Sequence, residues 1–340
     1  MTTSATVSTP TPSNVTPQRI AQIAWSYAGP LIIGAAIHNK VFDTLDAGPK
    51  TINEVSAATG ASKRGLTAIM NALVGMEFLD RDARDCYSLT PESAAFLVST
   101  KPAFFGGLFM HIGERIPNWL KLSEIVRTGK PATSVNQEEV GSEFFERLVS
   151  QIFPMSYAPS QALAAELRLN KAHVLDLGAG SGVWGIALAQ SSPGVRVTAL
   201  DWPGVLPVTK KTVSRFGLDN QFSFVPGDLS SADFGSGYDV VVLGHILHSE
   251  GEERSRKLLK KIYNALATGG TIAVQEFLVD ADRKGPITPL YFAVNMLVNT
   301  DDGNTWSFEE ISNWLRDAGF TNPRQVQSPG PSPLILATKP

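Results

Sequence analysis

The chain has 340 residues, 43% hydrophobic and 18% charged, which excludes a disordered or collagen-like polymer and leaves material for two domains. Twenty-nine basic against 32 acidic side chains give a net charge of −3, so bulk charge offers nucleic acid no attraction. A single cysteine, Cys86, excludes a disulfide framework and a multi-cysteine metal site.

No window reads as the ~18–20 uninterrupted apolar residues of a membrane span. The first residues lack the basic-then-apolar pattern of a secretion signal, so a cytoplasmic location with no membrane partner is expected. Residues 1–17, rich in Thr, Ser and Pro and without charge, read as a disordered tail.

Residues 18–103 read as a winged-helix unit. The stretch 18–46 is apolar nearly all round and must be buried in its own domain or against a partner chain, with Pro30 kinking or splitting it. Thr51 and Glu54 form a capping box, and that short helix is expected to end near Gly60. Ser62 starts another, and LDRDARDCYSLT reads as a two-stranded wing. A helix that reads DNA needs several cations, but this one offers only Lys63 and Arg64 near its start. Leu66, Ile69, Met70, Leu73 and Val74 recur at helical spacing, which describes a packing or dimerisation face. Nucleic acid is therefore not expected as a partner.

Residues 104–165 read as mostly helical, with a loop at 129–137, linking the domains and furnishing a substrate pocket. From 166 to 340 strands alternate with helices, which predicts a doubly wound, mainly parallel, Rossmann-like α/β sheet. HVLDLGAGSG is a strand running into a glycine turn. RVTALD, FSFVPGDL, YDVVVLGHILH and TIAVQEFLV supply four more strands, and PLILATKP the last. ERSRKLLKKIYNALATGG reads as a long helix ending in glycines.

In such sheets ligands bind beyond the carboxyl ends of the strands. The turn after the first strand carries Gly178, Gly180, Ser181 and Gly182. As a dinucleotide fingerprint it fails, because Val183 stands where a third glycine belongs. Asp201 ends the second strand, where a carboxylate accepts from both ribose hydroxyls. Trp202 beside it can cover a face of adenine. Gly227 and Asp228 end the third strand, and Asp228 can take the adenine amino group. In register, these elements point to a nucleoside ligand.

HVLDLGAGSG, ALDWPGVL, PGDL and GHILH together resemble the motif series of class I S-adenosylmethionine-dependent methyltransferases. With the winged-helix region, residues 18–340 are similar to small-molecule O-methyltransferases of the plant phenolic, acetylserotonin and bacterial natural-product type. The resemblance implies an N-terminal α-helical dimerisation domain, a homodimer and a methyltransferase sheet. It also implies S-adenosyl-L-methionine bound by the Gly178–Gly182 turn, Asp201, and Asp228 with Leu229. The methionine end is implied near Ser156 and the Gly244 backbone, with S-adenosyl-L-homocysteine as product and no metal. Many relatives carry Lys where Gly244 stands.

A hydroxyl acceptor must lose its proton as it attacks, which calls for a base with pKa near neutrality, and histidine fits. Of His38, His111, His173, His245 and His248, the first and third read as structural. His248 matches the position of the family's general base, although Ser249-Glu250 follows it where relatives usually have Asp-Trp. Glu276 matches a family carboxylate that orients this base, and a second such carboxylate falls on Thr305. The acceptor pocket is expected from Phe109, His111, Trp119 and Met155, and from Tyr291, Phe292, Asn295 and Met296. The leading expectation is methyl transfer to a hydroxyl of a small aromatic metabolite. Carbon methylation or a non-methylating reaction on the same fold is the alternative, and a ligand-sensing winged-helix regulator the reading from another class.

Overall fold

A proline has no N–H to give a helix, and the apolar run over residues 18–46 divides near Pro30. In the computed structural model, which describes residues 15–340, helices occupy Gln18–Ala24, Ala28–His38 and Val41–Leu45. Pro30 lies in the first turn of the second, where a missing donor costs nothing. The break itself falls upstream, at residues 25–27. All but the last three residues of the predicted tail lie outside the described residues.

One exclusion needs correction. Gln18–His38 spans 21 residues at a mean hydropathy of 1.5, long and apolar enough by length and composition to cross a membrane. Arg19, Gln22 and Ser26 interrupt the run without lowering its average enough. Its first half is open in the single chain, with Ile20, Ile23, Trp25 and Tyr27 all more than half exposed. His38, expected inside a buried helix, is exposed as well, and its Nε2 meets the Met110 carbonyl at 3.2 Å.

The chain forms two compact units, the first running to Pro102 with Phe109–Ile112 added, the second holding the remainder. In the first, Thr51 and Glu54 make the predicted capping box and Gly60 closes helix Ile52–Thr59. Ser62 caps helix Lys63–Gly75, whose Leu66, Met70 and Leu73 are buried while Lys63 and Arg64 are exposed. Strands Leu79–Arg81 and Cys86–Leu89 pair antiparallel as the wing, and Lys50–Thr51 joins as a third.

The second unit is built on seven strands. They are β1 (Lys171–Leu177), β2 (Gly194–Asp201), β3 (Phe222–Pro226), β4 (Tyr238–Gly244), β5 (Leu266–Gln275), β6 (Thr321–Val326) and β7 (Leu334–Thr338). Their spatial order is β6-β7-β5-β4-β1-β2-β3, and β7 alone runs against the rest. Successive strand residues point to opposite faces, and here both faces are covered. Leu175, Val241 and Leu243 pack beneath helices Leu247–Ala265 and Phe308–Ala318, whereas Val174, Val240 and Val242 pack beneath Phe153–Leu167 and Val183–Ser191. Strand order reverses between β1 and β4, so the carboxyl ends of these two strands flank a crevice.

Two details differ from the sequence expectation. The long helix ends at Ala265, ahead of the glycines, because β5 already begins at Leu266 and contains Gly269 and Gly270. Strand β6 was not expected, since TNPRQV lies on the sheet edge and is largely exposed, so its pattern is polar.

Ser307 caps helix Phe308–Ala318, accepting from the Glu310 N–H at 3.2 Å while its own N–H donates to Glu310 Oε2 at 2.7 Å. Ser307→Ala should cost about 1 kcal/mol. In thermal unfolding that lowers Tm by roughly 2–4 °C for a unit of this size.

Candidate active site

Five strand ends supply the site. After β1, Gly178, Gly180 and Gly182 take φ of 62°, 56° and 76°, the left-handed region that glycine enters without penalty. Ser181 between them is buried. Asp201 at the end of β2 ties this turn down. Its Oδ2 accepts from the Gly180 N–H and its Oδ1 from the Trp202 N–H, each at 2.7 Å. Both oxygens keep a second lone pair. Burial pushes this carboxyl up to about 6, against the two backbone donors that pull it down. Asp176, deeper in β1, is pushed by burial to about 7, with Oδ2 accepting from the Gly185 N–H and Oδ1 unpaired.

Beyond β3, Gly227 donates its N–H to the Asp201 carbonyl at 3.0 Å. Asp228 is engaged on both oxygens. Oδ2 accepts from Trp202 Nε1 at 2.9 Å, while Oδ1 accepts from the N–H and hydroxyl of Ser230. Burial pushes its pKa up, but these donors and Lys261 outweigh it and hold the carboxyl below its ordinary range. The Leu229 carbonyl accepts from Lys261 Nζ at 3.1 Å.

Trp202 is thus anchored through its nitrogen, and Phe145 meets it edge-on at 5.9 Å. Phe145 belongs to helix Glu138–Gln151, which sequence reasoning did not connect to the cofactor turn. A Cβ on Gly141 of that helix would lie 2.8 Å from the Trp202 ring, and Val149 faces Gly180. A glycine on the packed side of an otherwise good helix was the available signal. Ser156 is buried in the next helix, Phe153–Leu167.

The reactive groups lie past β4 and β5. Glu276, 1% exposed, accepts from His248 twice, from Nδ1 at 2.8 Å and from the backbone N–H at 3.2 Å. Burial alone would raise its pKa; the facing His248, with His245 behind it, reverses the sign and keeps it ionised. An ionised carboxylate only accepts, so Nδ1 carries a hydrogen, and whenever the ring is neutral Nε2 is the nitrogen that presents its lone pair.

His248 is also held from below. Its carbonyl accepts from the Asn304 N–H at 2.8 Å, and Trp306 Nε1 donates to the Leu247 carbonyl at 3.2 Å. Phe292 meets the His248 ring edge-on at 4.9 Å, and Phe277 packs against Phe292 at 4.4 Å.

His245 differs in every respect. It sits at φ 61°, burial drives its pKa to about 4, and its Nδ1 is unpaired, 3.9 Å from Glu276 Oε2. Ligand atoms of His245, His248 and Glu276 all fall within 4.8 Å of one another. The 2.8 Å between His248 and Glu276 is nonetheless the spacing of a shared proton, tighter than the roughly 3.4 Å between ligands about tetrahedral zinc. Thr305 spends its hydroxyl on the Pro289 carbonyl at 3.2 Å. Ser249 Oγ donates to the Ile246 carbonyl at 2.9 Å, and Glu250 is raised by burial beside Arg254.

Of the expected pocket residues, Phe292 alone is in ring contact with His248. Met296 is buried, Met155 half-buried, and the Asn295 side chain accepts from Asn299 Nδ2 at 3.1 Å. Trp119 is 36% and Tyr291 62% exposed. Phe109 and His111 belong to the first unit.

Residues 120–321 match the O-methyltransferase domain and residues 22–99 the O-methyltransferase dimerisation domain. The chain is 32% identical over 318 residues to the 3-hydroxy-5-methyl-1-naphthoate 3-O-methyltransferase of Streptomyces sahachiroi, covering 90% of each. It is 30% identical over 330 residues to the acetylserotonin O-methyltransferase of Bos taurus, covering 91% of this chain and 93% of that one. The solved structure of PigF with S-adenosyl-L-homocysteine, a protein known from Serratia as an S-adenosyl-L-methionine-dependent methyl transferase, superposes with a TM-score of 0.83 at 25% identity. That match covers 96% of this chain and 100% of PigF. With both domains matched and 32% identity to a relative over 90% of each chain, the chain belongs to the O-methyltransferase family and depends on S-adenosyl-L-methionine as methyl donor.

Proposed function

We propose that this chain methylates a hydroxyl of a small aromatic acceptor, with His248 as general base and Glu276 as the group that orients it. The observation that carries this reading is the buried 2.8 Å hydrogen bond between His248 Nδ1 and Glu276 Oε2. It turns the basic Nε2 outward and stabilises the imidazolium that forms when the acceptor proton arrives. S-adenosyl-L-methionine supplies an electrophilic methyl group. Alignment of the acceptor behind that methyl contributes roughly 7–11 kcal/mol. Phe292, Asn295, Met296 and Met155 are proposed to provide it with a flat, mainly apolar wall. The naphthoate specificity named for the Streptomyces relative supports an aromatic acceptor.

The residues present fit the cofactor. Gly178, Gly180 and Ser181 approach it with backbone, and Asp201 has two lone pairs left for ribose hydroxyls. Trp202, Gly227, Asp228 and Leu229 frame adenine, and Ser156 and Gly244 flank the methionine end. Two copies are proposed to associate through the dimerisation domain, which would cover the exposed Ile20, Ile23, Trp25 and Tyr27.

Three outcomes test this. His248→Ala should leave cofactor affinity nearly unchanged and lower single-turnover methyl transfer by about 10²–10⁴. Glu276→Gln should cost less and His245→Ala least, and the His248 loss should shrink on phenols that ionise unaided. A near-normal His248→Ala rate on a weakly acidic phenol would move the reading to carbon methylation.

Ribose hydroxyls donate to an ionised Asp201, whose carboxyl in the free protein sits at about 6. Calorimetric affinity for S-adenosyl-L-homocysteine should therefore be full above that pH and fall on acidification below it. Asp201→Ala should remove this dependence and weaken binding by about one to two decades. A flat pH profile in the wild type would remove the ribose assignment.

Deleting residues 1–17 should leave a dimer by light scattering, whereas deleting 1–46 should give aggregation. A well-behaved monomer of the full chain would contradict the dimer.

A further inference from the structure

Gly244 ends β4 beside the glycine turn, and its backbone is not in the left-handed region, so conformation does not require glycine there. Space does. A Cβ on Gly244 would lie 2.0 Å from Trp184 Nε1, 2.7 Å from Cδ1 and 2.8 Å from Cε2. The pyrrole edge of Trp184 therefore lies directly against the Gly244 backbone. Trp184 is the second residue of helix Val183–Ser191, immediately past the Gly178–Gly182 turn, and is 4% exposed.

A buried indole N–H usually finds an acceptor. Among the described residues this one has none, and it lies against Gly244 at the carboxyl end of β4, where that strand flanks the crevice. A lone donor at this point calls for an acceptor on the ligand. Asp201 and Asp228 are themselves acceptors, suited to the hydroxyl and amino groups of a nucleoside. Neither 178–183 nor 244–249 contains Lys or Arg to meet an anion. The cofactor's one anionic group is the carboxylate of its amino-acid portion.

We propose that Trp184 Nε1–H donates to that carboxylate, and that Gly244 is glycine because the indole occupies the space of its side chain. The proposal rests on the cofactor placement given above. It assigns to an indole nitrogen the work that a longer basic side chain at position 244 could do, and it makes the two positions mutually exclusive in size.

The test uses the full chain and two ligands. S-adenosyl-L-homocysteine carries the carboxylate, whereas 5′-methylthioadenosine keeps adenine, ribose and thioether without the amino acid. Trp184→Phe retains a ring against Gly244 and removes the N–H. Its Kd for S-adenosyl-L-homocysteine should rise about tenfold with methylthioadenosine unchanged, as expected for loss of one charge-assisted hydrogen bond. Equal Kd values for S-adenosyl-L-homocysteine, or equal weakening of both ligands, would overturn it. Asp201→Ala should weaken both ligands, so failure of the ribose assignment shows in a different column of the same titration. In 15N-labelled wild type, which needs no variant to fold, one indole resonance should move with S-adenosyl-L-homocysteine and not with methylthioadenosine. Absence of such a resonance would also overturn the proposal. Gly244→Ala should lower Tm in the wild type and much less in a Trp184→Val background, since the indole that the methyl would meet is gone there; an unchanged Tm in Gly244→Ala would sink the space argument.

Discussion

A carboxylate at 1% exposure is the constraint around which the reactive end of this molecule is arranged. Glu276 cannot stay ionised in that environment without donors, and His248 provides two, one from its ring and one from its backbone. Breaking a buried pair of this kind by removing one partner costs about 3–5 kcal/mol, because the remaining group is left without compensation. The pair therefore locks the end of β5 to the start of helix Leu247–Ala265. The tautomer of His248 follows from the same bond. Stability and chemical competence are set by one contact, which is why the neighbouring Phe277, Phe292 and Trp306 pack so closely around it.

The nucleoside end is organised by the opposite device. There, acceptors exceed donors: Asp176, Asp201 and Asp228 converge on the strand ends, and two of them are raised by burial. Backbone N–H groups of Gly180, Gly185 and Trp202 satisfy part of this demand. Asp201, at its strand end, keeps a lone pair on each oxygen, which favours a ligand that brings hydroxyl donors. Trp202 is the exception that ties the set together, since its indole nitrogen spends its hydrogen on Asp228 while its ring stays available. Trp184, which lies against Gly244 with no such partner among the described residues, is the proposed complementary donor.

Much of this was legible in the chain because the signals are local. The capping box at Thr51 and Glu54, the Ser62 cap, the glycine turn and the alternation of strands with helices all arise from residues within a few positions of one another. Asp201, Asp228, His248 and Glu276 were legible as strand-end residues, since a doubly wound sheet delivers every such end to one edge. That the run over 18–46 divides was legible, but the break falls at residues 25–27 and not at Pro30, because proline is tolerated in a first turn.

What the sequence by itself determined, then, was the order of elements, the class of sheet and the chemical types gathered at its carboxyl edge. Tertiary structure alone decided which of them touch. That His248 rather than His245 binds Glu276 is settled by a left-handed backbone at His245, which carries its ring toward Phe277. That Gly244 is a spatial necessity follows from Trp184, 60 residues earlier; Gly141 is crowded both by the nearby Val135 carbonyl and by the ring of Trp202, 61 residues later. The polar pattern of β6 hid a strand because its outer edge faces solvent. Periodicity records which way a side chain points relative to its own element, and carries no record of the distant side chain that meets it.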